Sequence, residues 1–263
     1  MGNIQLAQAT LWWRTPMNFD ATQTVREVAL SIPAATRVFE RLGIDYCCGG
    51  NKSLREACNQ ANLPIEQVLQ SLQSAASAQS REENAARQGQ SADWRSAPVT
   101  DLIAHIKHTH HKYVREEIAR LAPLFEKVCG VHGDRHVELC EIYREFRALS
   151  QELATHMIKE EMVLFPYIER MEEAVVAGDP ILPAPFGTVH NPVGQMVHEH
   201  DSAGRSLVRV RTFSQAYTPP ADACVSYRTL YSALAEFERD LHQHIHLENN
   251  ILFPRAIEME RGK

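Results

Sequence analysis

Apolar residues recur at helical spacing in four long stretches of the C-terminal two thirds of the chain, with prolines and glycines between them. The pattern predicts a first helix over about 99–121, where Pro123 follows, and a second over about 134–176. A connection over 178–192 with four prolines leads to a third helix over about 193–212. Pro219-Pro220 close the next loop, and a fourth helix runs over about 222–259. Loops this short join antiparallel neighbours, so an up-down four-helix bundle is the simplest topology. Pro166 and Pro254 fall inside the second and fourth helices. Each lacks an N–H and crowds the carbonyl four residues back, so both are expected to bend their helix.

The N-terminal third predicts shorter elements. Thr24-Val-Arg-Glu27 and Ser53-Leu-Arg-Glu56 read as capping boxes. Ser31-Ile-Pro33 restarts the chain, a helix over 34–42 stops at Gly43, and a last short helix covers 64–72. This is a small helical domain over 17–75, marginal in size without a neighbour or a ligand. Residues 76–97, rich in Ala, Ser, Gln and charge without apolar period, read as a linker that is helical in part. The bundle occupies 98–260. Residues 1–16 fit neither unit and are expected to be a disordered extension or leader, with Met17 an alternative start. The fold class is all-α.

Polar residues inside the apolar stripes carry the chemistry. His156-Met-Ile-Lys-Glu160-Glu-Met-Val-Leu164-Phe165-Pro166 and His244-Ile-His-Leu-Glu248-Asn-Asn-Ile-Leu252-Phe253-Pro254 share the pattern H-x₃-E-x₃-L-F-P. Each has a Leu three residues before the His, Leu153 and Leu241. Residues four apart on a helix share a face, so each copy aims an imidazole and a carboxylate toward the core. Such a pair needs a partner for its polarity, and a metal ion supplies one. The repeat extends upstream: His111 lies 45 residues before His156, and His200 lies 44 before His244. Periodicity does not separate His110 from His111; the near-equal spacing favours His111. Four His and two Glu from four helices make the ligand set of a carboxylate-bridged dinuclear centre. The plainer alternative, partly exposed surface histidines, does not account for a duplicated spacing in a duplicated apolar frame.

Glu152, one turn before His156, and Glu199, next to His200, are candidates for moving protons or escorting an ion; the alternative for each is a solvated helix carboxylate. His108, His198, His242 and His246 fall on other faces and are expected at the surface, as is Glu161, which follows Glu160 by about 100° around the helix. Cys47-Cys48 lie between a helix stop and Gly49-Gly50, on a sharply bent and exposed backbone. They read as thiols for redox exchange or transient metal binding, or as a turn in which two small residues pack. Cys58, Cys129, Cys140 and Cys224 read as packing residues.

A net charge of −6 without a basic patch argues against nucleic acid, and no apolar run is long enough to span a bilayer. Six scattered cysteines do not make a disulfide framework. The N-terminus lacks a basic segment followed by an apolar stretch, so a cytoplasmic location is expected.

These residues together resemble the repair-of-iron-centres family. Its marks are Asp45-Tyr46-Cys47-Cys48-Gly49-Gly50, Trp94-Arg95-Ser96-Ala97-Pro98 and both Leu-Phe-Pro segments, the second reading His244-Ile-His-Leu-Glu248-Asn-Asn-Ile-Leu-Phe-Pro-Arg255. The resemblance spans about 24–258 and implies a hemerythrin-like bundle. Its non-haem di-iron site, two irons with bridging oxide or hydroxide, would be held by His111, His156, Glu160, His200, His244 and Glu248. It implies repair of iron–sulfur clusters after nitrosative or oxidative damage, with damaged or apo iron–sulfur proteins as partners and nitric oxide or O₂ as small ligands. Imidazole and carboxylate suit both oxidation states of iron. An iron donor, using Cys47 and Cys48 for transfer or docking, is the first reading, rather than a conventional turnover enzyme. A nitric oxide or peroxide reductase is the second. A carrier or sensor of O₂ or nitric oxide is the third, and a Cys-Cys domain counts against it. A homodimer is left open.

Overall fold

The computed structural model describes residues 19–32, 34–85 and 93–262, the side chains of 78–85 excepted. The extension expected at 1–16 lies outside the described residues. Contacts divide the chain into two units. One runs to Ile44 and resumes at Lys52 through the end of the fourth helix; the other joins Asp45–Asn51 to the bundle. The Cys47-Cys48 segment therefore belongs with the bundle, not with the small N-terminal unit in which the sequence reading put it.

In the N-terminal unit both capping boxes form. Thr24 Oγ1 accepts the Glu27 N–H at 3.1 Å and Glu27 Oε2 accepts the Thr24 N–H at 2.8 Å, opening α1 (Val25–Ser31). Ser53 and Glu56 do the same for α3 (Leu54–Gln60). Between them, α2 (Ala34–Leu42) ends at Gly43, whose φ of +68° places the chain in the left-handed region. There the Ile44 N–H reaches the Phe39 carbonyl at 2.9 Å and the Gly43 N–H reaches that of Glu40 at 3.2 Å, closing the helix end. Val25, Val28, Phe39, Leu54, Val68 and Leu72 are buried. α4 (Ile65–Ala85) runs well past Leu72, into the stretch expected to be linker. Ala, Gln and Glu favour helix without an apolar face, and the hydroxyls of Ser71, Ser74 and Ser77 each donate to a carbonyl four residues back.

The bundle is all-α and up-down. α5 (Val99–His105) continues through a π-helical turn, Ile106–His111, into α6 (Lys112–His132). α7 (Glu138–Lys159) passes through a π turn, Glu160–Leu164, into α8 (Phe165–Ala177). α9 (His190–Phe213) is continuous. α10 (Val225–Leu247) passes through a π turn, Glu248–Leu252, into α11 (Phe253–Arg261). α6 packs on α10 and α7 on α9. In the core Phe125 meets Phe146 at a tilt, ring centroids 5.1 Å apart, and Phe146 lies edge-on to Phe237 at 5.5 Å. Buried Glu238 is matched by a two-pronged pair from Arg211, at 3.1 and 2.7 Å.

One proline expectation is revised, and the other two prolines fall at breaks in the regular helix. Helix one does not stop before Pro123: α6 carries that proline and continues to His132, its inner face fixed by buried Leu121, Phe125 and Val128. Pro166 and Pro254 each sit in the first turn of a new α segment, directly after a π turn. The Phe165 and Phe253 N–H groups reach back five residues, to Glu160 and Glu248. The extra residue in the turn absorbs the missing donor. The two segments that the resemblance singled out also meet: an Arg255 guanidinium nitrogen donates to the Trp94 carbonyl at 2.9 Å. Glu172 accepts the N–H groups of Val99 (2.7 Å) and Thr100 (2.9 Å), capping α5 where the Pro98 ring offers no acceptor.

Candidate metal centre

The three π turns fall where the chemistry was expected. Glu160 and Glu248 each begin one, and His111 ends the third. With His156 and His244 one turn earlier on α7 and α10, and His200 in mid-α9, they bring six polar side chains into the core, none more than 3% exposed. They sort into two sets: His111, His244, Glu160 and Glu248; and His156, His200, Glu160 and Glu248. Both carboxylates are common to both sets. Within each set one nitrogen or oxygen from every residue lies within 4.8 Å of the others.

The contacts within the sets are close without being hydrogen bonds in every case. Glu160 Oε2 lies 3.2 Å from His156 Nε2 and 3.4 Å from His111 Nε2, and Glu248 Oε2 lies 3.1 Å from His200 Nε2. Yet neither Glu160 oxygen, nor Glu248 Oε2, has a hydrogen-bond partner. The Nε2 atoms of His111 and His244 are 3.1 Å apart, and those of His156 and His200 are 3.0 Å apart. Donors aimed at shared points rather than at each other fit metal ions, and imidazole with carboxylate fits iron.

Charge tells the same story. Burial pushes His111 and His156 down, but Glu160 and Glu248 outweigh it and draw them up to about 10 and about 9. Burial pushes Glu248 up, but His244, His111 and His200 hold it well below the usual carboxylate range. Glu160 is also held low, by His156 and His111 against burial and Glu248. At His244, wholly enclosed, burial prevails over the attraction of Glu248 and holds the imidazole low. A buried pair of anions favours positive charge in this cavity.

The outer ring nitrogens are held unequally. His111 Nδ1 faces Glu161 Oε1 at 2.7 Å, and Arg115 donates to the same oxygen at 2.7 Å. His156 Nδ1 faces Glu199 Oε2 at 2.9 Å; Lys159 and Gln195 hold the other Glu199 oxygen, and Glu199 is lowered to about 2. That depression wins over partial burial through Lys159, Gln195 and His156 in turn. His200 Nδ1 faces Asn249 Oδ1 at 2.8 Å. His244 Nδ1 has no partner; His110 stacks beside that ring, 5.7 Å between centroids, and pairs with Asp240 at 2.9 Å. Anchoring Nδ1 turns Nε2 inward and fixes the tautomer that can bind metal.

The Cys-Cys segment is tied to this same shell. Asn249 Nδ2 donates to the Cys47 carbonyl at 3.2 Å and Asn250 Nδ2 to that of Tyr46 at 3.1 Å. The Tyr46 ring meets His246 and His242, centroids 5.4 and 6.2 Å away. Asp45 Oδ1 accepts the N–H groups of Cys47 (3.0 Å) and Cys48 (2.9 Å) and lies 3.3 Å from Cys47 Sγ. The two sulfurs are 3.7 Å apart, and Cys48 Sγ lies 3.5 Å from the His200 carbonyl. A Cβ on Gly49 would fall 2.9 Å from the Asp45 carbonyl oxygen, so the bend requires glycine. The Cys47 thiol is pushed well up by the Cys48 sulfur, by burial and by Asp45, and stays protonated at neutral pH.

Several positions differ from the sequence reading. Cys47 is buried rather than exposed, and Cys48 half-buried. His246 is buried against Tyr46 and Asn250, and His242 is half-buried; His108 and His198 are exposed. Glu161 is not free but holds His111, because the π turn redirects the residue after Glu160. Glu152 is exposed and accepts from Ser202 Oγ at 3.3 Å, since Leu153 takes the inward direction beside it. Cys140 and Cys224 are exposed rather than packed.

Comparison with known proteins adds two domain matches. A domain of unknown function (ScdA N-terminal, DUF542) matches residues 21–76, and the hemerythrin HHE cation-binding domain matches 102–256. The iron-sulfur cluster repair protein YtfE of Pectobacterium carotovorum is 38% identical over 238 residues, 90% of this chain and 98% of the relative. A probable iron-sulfur cluster repair protein of Haemophilus influenzae is 39% identical over 240 residues, 90% and 97% of the two chains. The YtfE of Yersinia pseudotuberculosis strain IP 31758 is 38% identical over 238 residues, 90% and 98%.

Proposed function

Because this chain belongs to the iron–sulfur cluster repair family built on a hemerythrin HHE domain, we propose that it repairs damaged iron–sulfur clusters with iron released from the buried His/Glu centre. The observation that carries this reading is the pair of buried carboxylates, common to two converging donor sets and lacking hydrogen-bond partners for three of their four oxygens. His111 and His244 would hold one iron, His156 and His200 the other, and Glu160 and Glu248 would serve both. Two irons bridged by oxide or hydroxide would supply a ferrous–ferric couple and open positions for nitric oxide or O₂.

The chain's own residues divide the remaining work. Glu199, Asn249 and Glu161 orient three of the imidazoles. Asp45, Cys47 and Cys48 offer one carboxylate and two sulfurs within 4.8 Å of one another, a soft stopping place for an iron leaving the His200 side. A thiol gives up its proton on binding a metal, and Asp45 Oδ1 is the acceptor beside Cys47 Sγ. Glu152, at the surface, is assigned to escorting the departing cation.

The test mixes iron-loaded protein with an iron–sulfur hydratase whose cluster has lost an iron. Donation predicts that hydratase activity returns in proportion to iron lost from the donor, and that a Cys47→Ser/Cys48→Ser variant keeps its iron but repairs poorly. Many turnovers of nitric oxide consumption, with the iron retained and no repair, would overturn donation in favour of a reductase.

A further inference from the structure

The end of the bundle away from the carboxylate centre holds a second group of metal-binding side chains. His132 closes α6, about 30 Å along the helix from His111. It is 4% exposed, and neither of its ring nitrogens has a hydrogen-bond partner. An imidazole enclosed in that way forfeits its hydration at both nitrogens. One of those nitrogens points into a cluster with His136, in the turn before α7, and Asp222, just before α10; the three ligand atoms lie within 4.8 Å of one another.

The neighbouring groups are arranged as they are around a bound metal. Glu138 Oε1 lies 3.1 Å from His136 Nδ1, which leaves His136 Nε2 facing Asp222, 3.0 Å from Oδ1 and 3.3 Å from Oδ2. Glu138 is itself steadied by the Tyr227 hydroxyl at 3.4 Å, and Tyr227 by Tyr231 at 3.2 Å. A carboxylate behind the outer nitrogen of a histidine, with the inner nitrogen turned toward a second ligand group, here Asp222, is the support that metal-binding histidines receive. Exposed Arg135 lies 3.7 Å from Asp222 Oδ2. Donors sharing an ion at bonds of about 2.1 Å stand about 3–4 Å apart, so a small closure of the cluster suffices.

We propose that His132, His136 and Asp222 form a separate mononuclear site for a divalent first-row transition ion. Two imidazoles and one carboxylate exclude magnesium and calcium as preferred occupants and leave positions for water on the Asp222 side. The ion would clasp the α6–α7 turn to the connection entering α10. This site does not depend on the function assigned to the carboxylate centre.

The test uses the full-length chain with its buried centre loaded, titrated with Co²⁺ and then Zn²⁺, with iron counted in the same samples. The expected result is one additional Co²⁺ per chain with a visible d–d band, displaced by Zn²⁺ while iron content stays constant. His136→Gln, at a partly buried position, should weaken binding at least tenfold while circular dichroism keeps the wild-type helix signal, and His132→Leu should abolish it. Zn²⁺ should raise the melting temperature of the wild type and not of His136→Gln. Cobalt uptake unchanged in both variants, uptake matched by iron loss, or no additional uptake by the wild type would each overturn the site.

Discussion

The two halves of the metal centre are alike in their inner atoms and unlike in what stands behind them. At the half made by His156 and His200 both outer nitrogens are held, by Glu199 and by Asn249. Asn249 goes on to the Cys47 carbonyl, and Cys48 lies against the His200 carbonyl. At the half made by His111 and His244 only His111 is held, by Glu161. The place beside His244 that Glu199 fills for His156 is taken by His110, which stacks and offers no acceptor. The duplication thus preserved the ligands, while their supports diverged. One half is doubly anchored and next to thiols; the other is singly anchored.

The harshest way to break the comparison is to remove what the halves share. Glu160→Leu or Glu248→Leu should strip both irons, whereas His108→Ala and His198→Ala, at exposed positions, should leave iron content unchanged. Iron and protein assays on purified variants check this. Substituting the supports should separate the halves. Asn249→Leu is expected to weaken one iron by about 10–100-fold and to impair repair beyond that loss, because the Cys47 carbonyl is released with it. Glu161→Gln should weaken the other iron by a similar factor and leave repair in proportion to the iron that remains. Competition with a chelator, run beside the repair assay, measures both.

A milder effect is expected at Glu152. Glu152→Leu should keep both irons and slow their release to a chelator several-fold; release at the wild-type rate at every pH would reduce it to a solvated carboxylate. The smallest effect concerns the helix that carries His111. Glu172 caps its start, and the N–H groups of Thr100 and Val99 with the Thr100 hydroxyl hold that carboxylate low, against partial burial. A group lowered on folding stabilises above its unfolded value and ceases to as pH falls through its folded value. Glu172→Gln should therefore cost on the order of 1 kcal/mol at neutral pH. Its difference from the wild type should close in acid, as thermal unfolding across pH would show.

The four bundle helices and the six converging residues were legible because they repeat: one spacing, one apolar frame, two copies. Their supports were less so. A uniform helical period sends Glu161 to solvent, and only the π turn after Glu160 brings it to His111. A usable sign was present, since the residue after each motif Glu is a hydrogen-bonding one, Glu161 and Asn249. The seat of Cys47-Cys48 on the bundle is a contact across some 200 positions, which no local pattern encodes. Its trace was Asn249-Asn250, two amides in a stretch otherwise built to be apolar. Pro123 misled for a related reason: packing of Phe125 and Val128 carries α6 past a residue that local preference treats as a stop.

The most direct measurement loads the centre with isotopically labelled iron and follows the label into an unlabelled, iron-depleted cluster protein. Iron donation predicts label in the rebuilt cluster, matched one for one by loss from the His/Glu centre, and little transfer from Cys47→Ser/Cys48→Ser protein that holds the same label. Clusters rebuilt with unlabelled iron, while the labelled centre stays full, would contradict it.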